Sequence, residues 1–288
     1  MTKVQVNSQG KVYVAGGKAL LAKNFGTKSI TENGTYTASS DSLDGYSSVT
    51  VDVASSGGTK YGASIDNILG DVNANGVLQR PTEECNLVFT GVKDVADGGL
   101  QYRLYHQDTI KTITFPDLTE VSGNQAFMSG FYNCTNLTSV SFPELTTLPK
   151  TFTFYNAFGN CTALTSISFP KLREITSTDT SSYVFNSAFS GCTSLTSVSF
   201  PELTTINGGA VLPQAFRNCK SLTSVSFPKL ITVPNNTAFG GSSSQYIFYG
   251  CTALQEIHFN SSAQSTIQRL TGYSAKWGAS NATIYFDL

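Results

Sequence analysis

A twelve-residue sequence motif recurs along this 288-residue chain. Cys-x-x-Leu-Thr-Ser-(Val/Ile)-Ser-Phe-Pro-x-Leu starts at Cys134, Cys161, Cys192 and Cys219; a decayed copy starts at Cys251, and an incomplete copy covers residues 109–121. The shared phenylalanine recurs at intervals of 27, 27, 31, 27 and 32 residues, at Phe115, Phe142, Phe169, Phe200, Phe227 and Phe259. A period of this length predicts a stack of repeats in which each turn contacts only its neighbours.

Within each unit the apolar residues follow Leu-x-x-Val-x-Phe-x-x-Leu-x-x-Leu/Ile, for example Leu137, Val140, Phe142, Leu145 and Leu148. This leucine-rich-repeat pattern predicts a short strand, parallel to its copies, followed by an irregular return arc. Because side chains alternate across a strand, valine and phenylalanine should point inward and the serines outward. The predicted fold class is a leucine-rich-repeat solenoid plus a small N-terminal β-rich module.

Five of the six cysteines occupy one position of the repeat. Stacking the turns therefore predicts a ladder of buried, reduced thiols that pack as small apolar groups. A disulfide or metal role is less favoured, because the chain contains no Cys-x-x-Cys and only His258 lies near a cysteine in sequence. No cofactor is expected.

Composition and turn signals divide the chain into five predicted parts. Residues 1–54 form a β-rich attachment module and residues 55–60 a flexible linker. Residues 61–108 cap the N-terminal end of the leucine-rich repeats, which span residues 109–260. Residues 261–288 cap the C-terminal end.

Local patterns predict the elements of these parts. Asn33-Gly34 signals a two-residue hairpin, and segments 87–89 and 100–105 are apolar enough to be strands. The C-terminal cap should hold a helix, since Ile267, Leu270, Tyr273 and Trp277 lie three to four residues apart, and then a final strand at residues 283–286.

Charge excludes several functions. Only 13% of the residues are charged and the net charge is −1, whereas about 25% charged residues is typical. With no basic run, nucleic acid is not an expected partner, and no apolar stretch is long enough for membrane insertion. The N-terminus lacks a secretory signal, which favours a protein not exported by the general route over one whose leader has been removed.

The unit Ala-Phe-x-x-Cys-x-x-Leu-Thr-Ser-Val-Ser-Phe-Pro-x-Leu-Thr-x-(Ile/Leu) resembles the BspA-like leucine-rich repeats of bacterial surface proteins over roughly residues 109–260. The ending at 272–286 looks like tails seen on such proteins. Residues 30–53 are similar to a short β-module of Firmicutes phage structural proteins and surface proteins. The resemblance implies adhesion or recognition and brings no catalytic residues.

Three columns of side chains should line the strand side of the stack. Two are hydroxyl columns, Thr112, Ser139, Ser166, Ser197, Ser224, Glu256 and Thr114, Ser141, Ser168, Ser199, Ser226, His258. We favour an inert hydroxyl face over a binding face, because interface hot spots prefer Trp, Tyr and Arg. The third column alternates in charge from Glu144 onward and should pair turn to turn: Asp117, Glu144, Lys171, Glu202, Lys229.

Length varies between the strand end and the next Ala-Phe, in segments 149–156, 176–187, 207–214 and 234–246. Insertions in repeat proteins map to loops on one face, which is often the binding face. The predicted contact surface therefore consists of the aromatic residues of these segments: Phe152, Phe154, Tyr155, Tyr183 and Tyr246.

One candidate metal site and no enzymatic constellation are visible. Asp71, Asn73 and Asn75, followed by Gly76, match the first half of a calcium loop, but the acid expected at its twelfth position is Thr82; a plain turn is favoured over a calcium site. The abundant serines lack an activating base. The protein is therefore not expected to be an enzyme.

The leading functional hypothesis is a non-enzymatic recognition protein in a phage virion, as a tail or head appendage that contacts a host surface or glycans. Its N-terminal module would attach it to a larger assembly, and it could be a homo-oligomer. The first alternative is a bacterial cell-surface or secreted BspA-like adhesin that binds host proteins. The second is an intracellular protein-interaction scaffold.

Overall fold

The structure is a computed structural model. It describes strands β1 to β5 at Gln5–Asn7, Lys11–Tyr13, Thr27–Ile30, Ser48–Asp52 and Lys60–Tyr61, and then residues 85–90, 92–95, 97–102, 104–177 and 182–288. The calcium-loop candidate Asp71, Asn73 and Asn75 and the predicted hairpin at Asn33-Gly34 lie outside these residues.

Short parallel strands form the front of the stack, and one or two residues of each strand are buried except in the last strand, whose residues are exposed or partly buried. The strands are β6 Cys85–Thr90, β8 Ile110–Thr114, β9 Ser139–Ser141, β11 Ser166–Ser168, β13 Ser197–Ser199, β15 Ser224–Phe227, β16 Glu256–Phe259 and β17 Thr283–Phe286. Their register pairs equivalent positions of successive repeats, such as Val140 with Ile167 and Val225 with Ile257.

The front strands belong to two sheets rather than one. The first has the order β11-β9-β8-β6-β4-β3, and the second has the order β13-β15-β16-β17. The break between β11 and β13 falls in the 31-residue interval. Across it the rings of Phe169 and Phe200 lie 6.0 Å apart, against 5.1 Å for Phe142 and Phe169.

A second line of parallel pairing follows the front strands and crosses this break. Its strands are β7 Asp94–Val95, which pairs with β5, and β10 Thr147–Leu148, β12 Glu174–Ile175 and β14 Thr205–Ile206, which pair in that order. We call the last three the side sheet. The return arcs are also joined across the break, for example by the backbone N–H of Phe154, which donates to the carbonyl of Val184 at 2.8 Å.

Stacked phenylalanines fill the centre. One column follows the front strands, and two columns come from the arcs, one of them through Phe127, Phe154 and Phe185 and the other through Phe131, Phe158, Phe189, Phe216 and Phe248. All of these rings are fully buried. Equivalent rings lie 4.4–6.1 Å apart, so the residues that recur most regularly in the sequence are those that form the core.

The predicted leucine-rich-repeat solenoid is confirmed, as are the strands predicted at 87–89 and 283–286. The predicted strand at 100–105 is wrong: the described residues there belong to a return arc, with Tyr102 in the left-handed region at φ 57°. The single C-terminal helix is also wrong. Helix α1 covers only Gln264–Gln268, and a separate 3-10 segment at Tyr273–Gly278 places Trp277 at φ 46° in the cap core.

At the N-terminal side, β3 pairs in parallel with β4, and β4 pairs in parallel with β6. The parallel sheet therefore crosses the boundary predicted at residue 54, and β6 lies within the segment predicted as a cap. Strands β1 and β2 pair antiparallel. The division into an attachment module, linker and caps stays a prediction.

Candidate functional site

The cysteine ladder is structural. Cys134, Cys161, Cys192, Cys219 and Cys251 are buried and free. Each thiol donates a hydrogen bond to a backbone carbonyl of the preceding turn, as Cys161 does to Phe131 at 3.2 Å. Burial raises the pKa of the Cys134 thiol to about 12 and that of Cys161 well above its ordinary value. Because the thiolate is the reactive form, Cys134 and Cys161 are chemically inert in the folded protein.

The return arcs contain a regular left-handed residue every four positions. In the last of these positions, directly before each cysteine, the sequence supplies residues that accept positive φ: Asn133, Asn160, Gly191, Asn218 and Gly250. Four residues earlier stand Ser129, Asn156, Ser187 and Gln214, and eight residues earlier stand Gln125, Phe152, Tyr183 and Ala210. The arcs therefore turn in four-residue steps.

At two of these left-handed positions the residue is a bulky aromatic one, for which positive φ is unfavourable. Phe152 has φ 53° and Tyr183 has φ 44°, a region that bulky side chains rarely adopt. Both rings are half-buried on the outside of successive arcs, with centroids 5.5 Å apart. The ring of Tyr155 lies 5.6 Å from that of Phe152. We call Phe152, Tyr155 and Tyr183 the aromatic trio.

The trio unites three of the five residues predicted as a contact surface. Phe154 is removed from that surface, because its ring is fully buried and stacks between Phe127 and Phe185. Tyr246 lies apart from the trio at the C-terminal cap. A side-chain carbon at Gly272 would come within 2.6 Å of the Tyr246 ring, so this tyrosine packs tightly onto the cap.

A second pair of stacked outer rings was not predicted. Tyr105 and Tyr132 stack in successive arcs with centroids 5.2 Å apart. The hydroxyl of Tyr132 accepts a hydrogen bond from the Asn160 amide at 2.8 Å, and a side chain at Gly159 would collide with its ring. The sequence signal is a tyrosine two residues before the position that becomes cysteine, once the return arcs are aligned.

The front of the stack carries the predicted hydroxyl columns. The serines of β9, β11, β13 and β15 point outward around buried valines or isoleucines. Of the charge column, Lys171 pairs with Glu144 and Lys229 with Glu202, each at 2.6 Å. No ion pair joins Lys171 to Glu202, at the break between the two front sheets, so the predicted pairing is interrupted there.

The hydroxyl columns end at a charged group on β16 and β17. His258 stacks on Tyr285 and contacts Asp287 through Nδ1 at 3.0 Å and Glu256 through Nε2 at 3.4 Å. Burial lowers the pKa of His258, but hydrogen bonds to the two carboxylates outweigh burial and raise it. The carboxylates bind opposite ring nitrogens, so the three groups do not converge on one ion. Across the described residues, no group of three or more His, Cys, Asp or Glu could hold a metal.

Helices long and apolar enough to cross a membrane are not found among the described residues. The known family that matches the sequence is the BspA type leucine rich repeat region, over residues 100–244 and 242–270, in six copies. No curated protein matches.

Three solved structures are similar in fold. A leucine-rich repeat protein of T. pallidum is 20% identical, with 73% of this chain and 90% of that chain covered and a TM-score of 0.39. One from Bacteroides ovatus is 17% identical, covering 83% and 53%, with a TM-score of 0.37. A leucine rich cell surface protein of Faecalibacterium prausnitzii is 14% identical, covering 99% and 94%, with a TM-score of 0.28. The chain thus spans about half the length of the Bacteroides protein.

Proposed function

Because the chain belongs to the BspA-type leucine-rich repeat family, we propose that it is a non-enzymatic recognition protein whose solenoid presents the aromatic trio to a ligand on a cell surface. Repeat stacks expose extended surfaces of this kind and use them for binding.

The observation that carries the proposal is the backbone at Phe152 and Tyr183. Left-handed φ costs a bulky residue of the order of 1–2 kcal/mol, and the equivalent positions of the neighbouring arcs hold the smaller side chains of Gln125 and Ala210. Neither ring is fully buried, so core packing does not account for its presence. Strain of this kind concentrates at ligand-binding sites, and partly exposed aromatic rings are typical anchors of interfaces.

The setting we propose is a phage virion, with the protein as a tail or head appendage. Support comes from the similarity of residues 30–53 to a module of phage structural proteins. The alternative is a bacterial cell-surface or secreted adhesin, supported by the family of the repeats. An intracellular scaffold is the third candidate.

Binding and setting are tested separately. The purified full chain, fluorescently labelled, is added to a panel of intact Firmicutes cells, and cell-bound fluorescence is counted; we expect binding that falls at least tenfold when Phe152 and Tyr183 are both replaced by asparagine. Absence of binding to every strain would count against recognition of bacterial surfaces.

Immunogold electron microscopy with an antibody against the full chain decides the setting. Label on virions supports the appendage, and label on bacterial envelopes supports the adhesin. Label confined to the interior of sectioned cells would overturn both and leave the scaffold.

A further inference from the structure

Three successive arcs form a surface without a single charged side chain. Residues 124–134, 151–161 and 182–192 contain no Asp, Glu, Lys, Arg or His, and backbone hydrogen bonds join the first arc to the second and the second to the third. We call the outward side chains of these segments the three-arc surface. It contains the aromatic trio and Tyr132.

The polar groups of the three-arc surface are amides and hydroxyls. Side-chain amides stand at Asn124, Gln125, Asn133, Asn156, Asn160 and Asn186. Asn160 is held by Tyr132, and the side-chain oxygen of Asn186 accepts a hydrogen bond from Ser187 at 2.9 Å. The amides of Gln125 and Asn156 and the amide nitrogen of Asn186 make no hydrogen bond to any described residue. Each of these amides is partly exposed. Each can therefore hydrogen-bond to water in the free protein and to a ligand in a complex.

We propose that the three-arc surface binds a neutral oligosaccharide; this rests on the recognition function proposed above and gives it a ligand class. A sugar ring presents apolar C–H groups on its faces and hydroxyls around its rim. Aromatic rings suit the faces. Amides, which carry donors and acceptors on one group, suit hydroxyls, which also donate and accept.

Charge decides against the other ligands. A phosphate, carboxylate or ammonium placed on this surface would lose hydration without gaining a counter-charge, which is unfavourable. Acidic polysaccharides and charged peptides are therefore excluded. Binding should also depend little on salt, since no ion pair contributes to it.

The backbone supplies a variant that removes the rings and leaves the fold intact. Asparagine tolerates left-handed φ better than an aromatic residue does, so the double variant Phe152→Asn, Tyr183→Asn keeps the turns of the arcs. The matched control is Ala210→Asn, at the equivalent left-handed position of the following arc, which carries no ring and lies outside the three-arc surface. Thermal unfolding of each variant verifies that it is folded.

The test is an array of immobilised neutral and acidic oligosaccharides probed with the full-length chain. We expect binding to neutral glycans by the natural sequence and by Ala210→Asn, unchanged at high salt, and a loss of at least tenfold in the double variant. Binding only to acidic glycans, binding that survives loss of both rings, or no glycan binding at all would overturn the inference.

A second arm separates this inference from the recognition function. Cells that bind the chain are treated with periodate, which cleaves the vicinal diols of glycans, or with protease. Binding lost to periodate and kept after protease supports a glycan ligand. Binding lost only to protease identifies a protein ligand; it overturns the oligosaccharide and leaves recognition standing.

Discussion

Phe152 and Phe154 are two residues apart in the same arc and have opposite surroundings. Phe154 is fully buried between two stacked rings, in a column that runs through the solenoid. Phe152 is partly exposed, has a left-handed backbone, and its ring lies beside the rings of Tyr155 and Tyr183. The rings on the inner face of the arcs therefore stabilise the fold, whereas the rings on the outer face lie at positions where they are unfavourable for stability.

The largest predicted effect is on the inner face. Phe154→Ala should lower the free energy of unfolding by about 3–5 kcal/mol, because it opens a cavity in the stacked column. Urea unfolding followed by circular dichroism measures this. Phe152→Ala is the matched comparison and should cost less than about 1 kcal/mol; equal losses at the two positions would remove the distinction between the faces.

A smaller loss is expected from the thiol ladder. Cys161→Ala removes the sulfur and its hydrogen bond to the Phe131 carbonyl, and should cost about 1–2 kcal/mol. In the natural sequence a thiol reagent should leave Cys134, Cys161 and Cys192 unmodified at neutral pH and modify them after urea unfolding, because burial raises their pKa and suppresses the thiolate. Fast modification of Cys161 in the folded protein would contradict this.

Replacing a ring on the outer face by asparagine should raise the free energy of unfolding instead of lowering it. Phe152→Asn relieves left-handed strain of about 1 kcal/mol and loses ring contacts of about 0.5 kcal/mol. The net result is a gain in stability of about 0.5 kcal/mol, measurable as a raised midpoint of urea unfolding. Phe152→Ala loses the contacts without the same relief, so asparagine should be the more stable of the two. A destabilised asparagine variant would show that the ring supports the fold.

The smallest effect is the pH dependence of the last turn. The pKa of His258 is raised in the folded state, so its stabilisation is fully present below the ordinary pKa of 6.5 and is lost as pH rises through the folded-state value. Thermal melting near pH 5.5 and near pH 8.5 should differ by less in His258→Gln than in the natural sequence. An unchanged difference would place the titrating group elsewhere.

Much of the inner architecture follows from the sequence. Cys161, Leu164 and Phe169 repeat in register, and burial of one member of a column implies burial of all. The prediction that Phe154 belongs to the contact surface was wrong for a physical reason. The arc turns in four-residue steps, so neither strand nor helix periodicity predicts which of two nearby aromatic residues points inward. The left-handed steps are visible in sequence only at Asn133, Asn160 and their equivalents.

The break between β11 and β13 could not be predicted from the period alone. An interval of 31 residues shows that four residues have been added relative to the 27-residue intervals. It does not predict which line of pairing between the turns is interrupted. Length added to the arc could have bulged outward and left the front strands in register. The structure keeps the side sheet and the arcs joined and separates the front strands instead.

That separation bears on how such a chain can change over generations. The turns that carry β10, β12 and β14 are joined along the side sheet and the arcs, and the front strands add a third line wherever they pair. If an added segment breaks one line of pairing, the other two still hold the turn against its neighbours. The turn therefore keeps its place in the stack while residues are added to it. Tyr183 lies directly after the residues that lengthen its turn. A triple connection thus gives the solenoid freedom to acquire new surface loops one turn at a time, with the neighbouring turns unaffected.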